Sequence, residues 1–305
     1  MAMIEIAVVG GGPAGLTAAL YAARAGRSVP VFEGNSFGGQ ITQSPLVENY
    51  PGLANVSGME LGDRMYVQAE QAGATLSFSG VESIQKSATG TFLLTTEDGI
   101  VEALSVIYAA GAAPRHLELP WEEALIGRGI SYCALCDGAF FANQDVAVAG
   151  GGNTALEDAL YLSERCRSVT LIHRRNTFRA ESALVERAKA TGNLTMVTQA
   201  QITAPLAQDG NLTGLLLQKQ DGTAKTLAVS GLFVAFGRVP DTASLSGLAA
   251  RDEQGYVLTD DQMQTSTPGL FAAGDCRHKQ IRQLTTAVSD GTVAAISACR
   301  YLGNR

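Results

Sequence analysis

The stretch IAVVGGGPAGL, from Ile6 to Leu16, decides the fold, because it returns 140 residues later as VAVAGGGNTAL, from Val146 to Leu156, without a gap. The register persists beyond the glycines: Ala19-Leu20-Tyr21 falls on Ala159-Leu160-Tyr161, Arg27-Ser28-Val29 on Arg167-Ser168-Val169, and Glu33 on His173. Self-similarity of this extent is the mark of a repeated structural unit, which one chance glycine motif does not produce. Each copy reads as a short apolar strand, a glycine turn, a helix with apolar positions near 3.6-residue spacing, and a second strand, which together make one βαβ unit. Behind each copy comes a matching pair of segments: LLTTEDG (93–99) leading to Ile107–Gly111, and LLQKQDG (216–222) leading to Phe233–Gly237. The Asp-Gly dipeptides mark hairpin turns.

The expected fold class is α/β, with two Rossmann-like three-layer ββα nucleotide-binding domains, the second inserted in the first. The segment Thr267 to Asp275, TPGLFAAGD, is read as the return that completes the first domain. The expected boundaries are 1–113 plus 242–305 for the first domain and 114–241 for the second. The two crossings fall near Ala112–His116 and Arg238–Thr242, where Pro and Gly neighbours suit hinges. Gly34 to Asn55 is richer in Gly, Asn, Ser and Pro than its flanks, as loops that cover a ligand often are.

Composition narrows the class further. The 305 residues are 46% hydrophobic and 17% charged, which suits buried globular cores and excludes disordered or fibrous chains. Met1 to Leu20 is apolar but is cut by Gly10-Gly11-Gly12-Pro13 and lacks basic residues, so neither a membrane helix nor a secretory signal is expected. The net charge of −7, without a block of like charges, speaks against a nucleic-acid surface. Five cysteines, three of them isolated, do not make a secreted disulfide framework, and a cytoplasmic location is expected.

In a dinucleotide turn the first glycine permits the bend, the second lets backbone approach a diphosphate, and the third position must be small where helix meets strand. Gly10, Gly12 and Gly15 meet these needs, and so do Gly150, Gly152 and Ala155. The following helix start, with its exposed N–H groups and dipole, would hold the diphosphate. Glu33 lies 21 residues after Gly12, where a carboxylate accepts hydrogen bonds from a ribose hydroxyl. The equivalent place in the second unit holds His173-Arg174-Arg175, followed by Arg179, and no acid. Guanidinium groups bind phosphate by charge-assisted, often bidentate bonds, so this cluster points to the 2′-phosphate of NADPH. The blander alternatives are a tight turn with no ligand and a solvated basic face.

Cys133-Ala-Leu-Cys136 admits three readings. A zinc site wants four ligands, and neither the other cysteines nor His116, His173 and His278 have the spacing to complete one, so no metal is expected. A buried inert pair sits poorly beside Asp137 and Gly138. A dithiol/disulfide couple near two nucleotide sites is the economical reading, with Asp137 placed in sequence to exchange a proton with a thiolate.

Taken together these residues resemble the low-molecular-weight thioredoxin reductases over nearly the whole chain, from about Ile4 to Leu302. The resemblance rests on Gly10–Gly15, Gly38-Gly39-Gln40, Glu48-Asn49-Tyr50-Pro51-Gly52, Cys133-Ala-Leu-Cys136-Asp137-Gly138, Gly150–Ala155, His173–Ala180, Gly274-Asp275 and Arg282-Gln283. It implies a homodimer in which an FAD domain is split around an inserted NADPH domain that carries the cysteines. By the resemblance, FAD is held by Gly10, Gly12, Pro13, Ala14, Gly15, Glu33, Gly39, Gln40, Asn49, Gly111, Gly274, Asp275, Arg282 and Gln283. NADPH is held by Gly150, Gly152, Asn153, Thr154, Ala155, His173, Arg174, Arg175 and Arg179. Hydride is expected to pass from NADPH to the flavin and electrons to a Cys133–Cys136 disulfide, with Cys136 toward the flavin and Cys133 attacking the disulfide of thioredoxin or a thioredoxin-like dithiol protein. A rotation at the two crossings would let nicotinamide and disulfide take turns at the flavin.

By the resemblance, Arg128, Phe140 and Phe141 stand where the family meets thioredoxin; an exposed Phe pair beside a cation would dock the partner, and the alternative is that both phenylalanines are core. The chain departs from the family pattern at Ala110, where Thr is usual, and over Cys276–Ile281, which lacks the usual Asp and Tyr. Other readings remain open at this stage: a reductase of a different dithiol protein, a ferredoxin-driven relative, a dithiol oxidase of a small metabolite, and a non-catalytic nucleotide-binding sensor. The complete second motif and its arginines weigh for NADPH as donor.

Overall fold

Strand β1 (Ile4–Val9) and helix α1 (Pro13–Arg24) meet at the first glycine turn in a computed structural model that describes residues 3–53 and 55–304. Gly10 has φ +102°, and a Cβ there would lie 2.5 Å from the Ala109 carbonyl oxygen, so both backbone and space demand glycine. Pro13 opens α1, a position where a missing N–H removes no intrahelical bond. The chain continues through β2 (Pro30–Phe32), α2 (Gly58–Gln71), β3 (Thr75–Ser77), β4 (Val81–Lys86), β5 (Phe92–Thr96) and β6 (Gly99–Tyr108). Ser57 caps α2 by accepting the Glu60 N–H at 3.1 Å.

Strand β7 (Ala112–Pro114) carries the chain into the second unit. There follow α3 (Glu122–Leu125), β8 (Ile130–Ser131), α4 (Ala134–Asp137), β9 (Asp145–Ala149), α5 (Asn153–Ser163), β10 (Ser168–Ile172), α6 (Ser182–Ala190) and β11 (Leu194–Val197). A three-stranded antiparallel sheet of β12 (Ala200–Gln208), β13 (Asn211–Lys219) and β14 (Ala224–Ala228) precedes β15 (Gly231–Val234). Strand β16 (Arg238–Pro240) pairs with β7, and the first unit is completed by β17 (Leu270–Ala272) and α7 (Leu284–Gly303). The chain divides into two compact units, one running up to Ala113 and resuming at Val239, the other spanning Pro114–Arg238.

Within the first unit the strand order is β3-β2-β1-β6-β5-β4, with β17 also on β6. β1 lies parallel between β2 and β6, pairing Val8 with both Val31 and Ile107, and β17 adds Phe271 opposite Ile107. Within the second unit the order is β11-β10-β9-β15-β8, all parallel. Strand alternation then sorts the core into two faces. Val146 and Val148 pack with Leu156, Leu162 and Phe233 on the helical side, while Ala147 and Ala149 pack with Leu215 and Leu232 on the side of the antiparallel sheet. In the first unit Ile6 and Val8 join Leu16 and Ala294 on one face, and Ala7 and Val9 join Phe92, Leu94 and Leu270 on the other. Each fully buried Leu or Ile here is worth about 1.5–3 kcal/mol of apolar burial. The result is an α/β fold of two Rossmann-like units, the second inserted in the first. Among the described residues no helix is long and apolar enough to cross a membrane.

Candidate active site

The CxxC motif sits where β8 runs into the short helix α4. Cys133 and Cys136 form a disulfide. Cys133 is the residue before α4, and its sulfur accepts the Cys136 N–H at 3.1 Å. Cys136 is exposed and Cys133 half-buried. Asp137 closes the same turn, with its N–H on the Cys133 carbonyl at 3.1 Å. Burial raises the affinity of the Asp137 carboxyl for a proton, and a hydrogen bond from Ser131 opposes that rise.

Two neighbours of the disulfide carry no signal in the sequence. The Ser131 hydroxyl donates to Asp137 Oδ2 at 2.6 Å and accepts the Cys133 N–H at 3.0 Å. Glu122, 3% exposed, accepts the Tyr132 hydroxyl at 2.5 Å and the backbone N–H groups of Leu117 at 2.8 Å and Glu118 at 3.0 Å. The strand entering the disulfide is thereby tied down on both sides. A Ser two residues before a Cys, or a Glu among surface acids, carries no motif that would single it out.

Neither Phe of the expected docking pair is fully exposed: Phe141 meets Phe233 edge-on at 5.4 Å, lies against Gly231 and packs partly buried on the core of its unit, and Phe140 is half-buried. The apolar side chain that reaches solvent is Leu135, between the two cysteines, 54% exposed. Arg128 is exposed as expected.

In the second unit's glycine turn Gly152 precedes α5 with no side-chain cap, and a Cβ on it would meet nothing within 4 Å. Gly150 lies against Ala155, and Thr154 is exposed at the helix start. Asn153 is bound to Glu181 on both sides of its amide, donating to Oε1 at 3.0 Å and accepting the Glu181 N–H at 2.9 Å. His173 is buried against Gly151 and stacked on Phe178 at 5.1 Å, and burial depresses its basicity. It shapes the turn while the next residues face outward. Arg174, Arg175 and Arg179 are all exposed, and no acidic side chain pairs with any of them among the described residues. Three unneutralised guanidiniums at a strand end are suited to an anion.

The first unit's turn is likewise open: Gly12 precedes α1 uncapped, and a Cβ on it would find no atom within 4 Å. Glu33 reaches back so that Oε2 accepts the Gly11 N–H at 2.7 Å and Oε1 the Asn35 N–H at 2.8 Å. The loop after it folds onto the turn, with the Gly38 N–H on the Gly11 carbonyl at 2.9 Å and Gly39 against Gly12. Gln40 donates to the Ala112 carbonyl at 2.6 Å, next to Gly111, and Asn49 to Gln283 Oε1 at 3.4 Å. Gln283 caps α7 through a reciprocal box with Thr286. Gly274 touches Ala14, and its N–H reaches Asp290 Oδ2 at 3.1 Å. Arg282 stacks over Tyr256 at 4.0 Å.

Asp275 tests whether this set suits a dinucleotide. Its Oδ1 is buried and receives no hydrogen bond, and the nearest cation, Lys279 Nζ, stands 3.5 Å away. A buried acceptor without a donor is costly unless a ligand hydroxyl supplies one. The polyol chain of FAD carries such hydroxyls, and the open glycine turn suits its diphosphate, so the residues fit the group. The departures from the family pattern also find places: Lys279 is held between Asp275 and Asp290, 3.0 Å from the latter, and Ala110 packs beside the core of its sheet. Among the described residues no cluster of His, Cys, Asp and Glu is arranged to hold a metal ion.

A repeated dinucleotide turn together with a CxxC disulfide defines a class, the nucleotide-dependent disulfide oxidoreductases. Comparison with known proteins gives the particular family. The chain belongs to the pyridine nucleotide-disulphide oxidoreductase family, whose model matches residues 4–291, and within it to the low-molecular-weight thioredoxin reductases. It is 42% identical to the thioredoxin reductase of Mycolicibacterium smegmatis, over 99% of this chain and 97% of that one. It is 44% identical to the bifunctional thioredoxin reductase/thioredoxin of Mycobacterium leprae, over 98% of this chain but only 66% of that longer protein. The crystal structure of thioredoxin reductase from Streptococcus pyogenes superposes with a TM-score of 0.96 at 40% identity, covering 100% of this chain and 99% of that one.

Proposed function

We propose that the chain reduces the disulfide of thioredoxin, or of a thioredoxin-like dithiol protein, with electrons from NADPH. The observation that carries this reading is the Cys133–Cys136 disulfide at the surface, with a partly buried carboxyl in the same turn and an unpaired arginine cluster in the same unit. Gly150, Gly152, Asn153, Thr154, Ala155 and His173 form the bed for NADPH, and Arg174, Arg175 and Arg179 take its 2′-phosphate. The first glycine turn (Gly10, Gly12, Pro13, Ala14, Gly15), Glu33, Gly39, Gln40, Asn49, Gly111, Gly274, Asp275, Arg282 and Gln283 would hold FAD, whose hydroxyls could supply the donor that Asp275 Oδ1 lacks. When bound, FAD supplies the two-electron relay between nicotinamide and disulfide.

The remaining chemistry belongs to the chain's own sulfurs. Once reduced, Cys133 attacks a sulfur of the partner disulfide as thiolate, forming a mixed disulfide and releasing one partner thiolate, which takes a proton. Cys136 then attacks the Cys133 sulfur, restores the internal disulfide and releases the second partner thiol. Two electrons and two protons pass to the partner in all, and the proton exchange with these sulfurs is assigned to Asp137, the acid of the same turn. The active species is proposed to be a cytoplasmic homodimer.

Steady-state reduction of oxidised thioredoxin by NADPH tests the reading. The wild-type holoprotein should turn over, and both Cys133→Ser and Cys136→Ser should lose about 10³-fold or more. Cys136→Ser should accumulate a mixed disulfide with thioredoxin, which Cys133→Ser should not. Unchanged turnover in either serine variant would sink the proposal.

A further inference from the structure

Asp137 is the partly buried acid of the CxxC turn, and what surrounds its carboxyl decides how it behaves. Its Oδ2 accepts the Ser131 hydroxyl at 2.6 Å, while Oδ1 receives no hydrogen bond among the described residues. Ser131 is itself buried at the end of β8, and its oxygen also receives the Cys133 N–H at 3.0 Å. One hydroxyl thus bridges the acid and the backbone of the first cysteine. The bridge has a direction: with the amide N–H pointing at the oxygen, the hydroxyl proton is free to point at the carboxylate.

We propose that Ser131 is a positioning residue for the disulfide chemistry, locking Asp137 to the Cys133 backbone through Oδ2 and leaving Oδ1 as the oxygen that exchanges protons with the sulfurs. This deepens the disulfide-reductase reading above and rests on it.

Among the described residues, Ser131 gives the one side-chain hydrogen bond that the Asp137 carboxyl accepts. The short turn after α4, Gly138–Phe141, brings no ionisable side chain. Helix α5, which packs on α4, carries Asp158 and Tyr161, and Arg165 follows just past its end. Tyr161 lies against Gly138, and Arg165 sits over the Tyr161 ring at 4.5 Å. Asp158 answers to Glu157 and Arg238. On the β8 side Tyr132 is engaged with Glu122. The cysteines, joined in the disulfide, do not titrate in the oxidised protein. Burial therefore pushes the Asp137 carboxyl toward its neutral form, and the Ser131 hydroxyl is the group that favours the charged one.

Removing the hydroxyl should raise the proton affinity of Asp137, whichever direction the proton moves during turnover. In Ser131→Ala the carboxyl should titrate about one pH unit higher than in the wild type. Side-chain carboxyl carbon NMR of aspartate-labelled, oxidised holoprotein reads this directly, with Asp137→Asn assigning the signal. This measurement involves neither thioredoxin nor turnover, so it stands even if the partner is a different protein. In the steady-state pH profile with a disulfide substrate, the limb that Asp137→Asn abolishes should move upward by the same amount in Ser131→Ala. Ser131→Thr, which keeps the hydroxyl, should restore both. An unmoved Asp137 titration in Ser131→Ala would overturn the proposal. So would a rate lowered equally at every pH with the limb in place, which is what a merely structural serine would give. Absence of disulfide reduction in the wild type, with the NMR titration shifted as expected, would count against the reductase reading and leave the Ser131–Asp137 coupling standing.

Discussion

The two glycine turns share a backbone plan and differ in what stands at the end of the second strand. In the first unit Glu33 folds back onto the turn and takes the Gly11 N–H at 2.7 Å, whereas in the second the aligned His173 is packed under Gly151 and three exposed arginines follow it. The third small residue also differs: a Cβ on Gly15 would lie 1.9 Å from the Gly10 carbonyl oxygen, while Ala155 fits with its methyl against Gly150. Even the helices diverge at matching positions. Ala18 of α1 is fully buried, with Gly291 of α7 closing over the neighbouring backbone, but Asp158 occupies the equivalent place on α5. The two turns thus share an open backbone, and the proposed difference in nucleotide rests on what stands at the strand end.

The strand-end contrast gives the largest expected effect. Replacing both Arg174 and Arg175 by Ala should raise KM for NADPH by about 100-fold and leave KM for NADH within about twofold, as two charge-assisted phosphate contacts are lost. Equal losses for the two nucleotides in initial-rate kinetics would break the assignment of the 2′-phosphate. The third-position contrast comes next. Gly15→Ala should destabilise the first unit by about 3 kcal/mol, or release its flavin, because the added carbon meets backbone that cannot move aside. Ala155→Gly should cost only about 1 kcal/mol by chain entropy. Thermal unfolding and bound-flavin absorbance check both, and equal effects would mean that the two turns are more alike than their contacts imply.

The smallest effect concerns the helices. Burial, with Glu157 adding to it, pushes the Asp158 carboxyl up to about 7, and Arg238 offsets part of the rise. The folded chain therefore holds this proton more tightly than the unfolded chain, so stability falls as pH rises from about 4 toward 7. Asp158→Asn should unfold like the wild type near pH 4 and gain about 1 kcal/mol at pH 8, since the half-buried carboxyl remains partly in contact with water. A pH-independent difference in melting temperature would contradict this reading.

Much of this was legible because it lives in backbone requirements. Glycines at fixed spacing declare a turn that a Cβ would block, and the 140-residue offset declares that the turn occurs twice. The CxxC spacing likewise fits within a single helical turn, so the cysteines' proximity is local. What stayed hidden depends on contacts between segments. Phe141 reads as a surface aromatic until Phe233 and Gly231 are brought beneath it. The Cys276–Ile281 departures look like lost flavin contacts, yet Lys279 proves to be neutralised by Asp290 on α7 and set beside Asp275. Ser131 is invisible for a different reason: serine is common before short helices, and only the direction of its hydroxyl ties it to Asp137.

The path of electrons from NADPH to the exposed disulfide is tested most directly by anaerobic titration of the flavin-loaded protein. NADPH should bleach the flavin absorbance, and addition of oxidised thioredoxin should restore it, with about one equivalent of thioredoxin reduced for each two electrons delivered. Failure of NADPH to bleach the flavin, or a bleached flavin that no thioredoxin can reoxidise while the Cys133–Cys136 disulfide remains intact, would contradict that path.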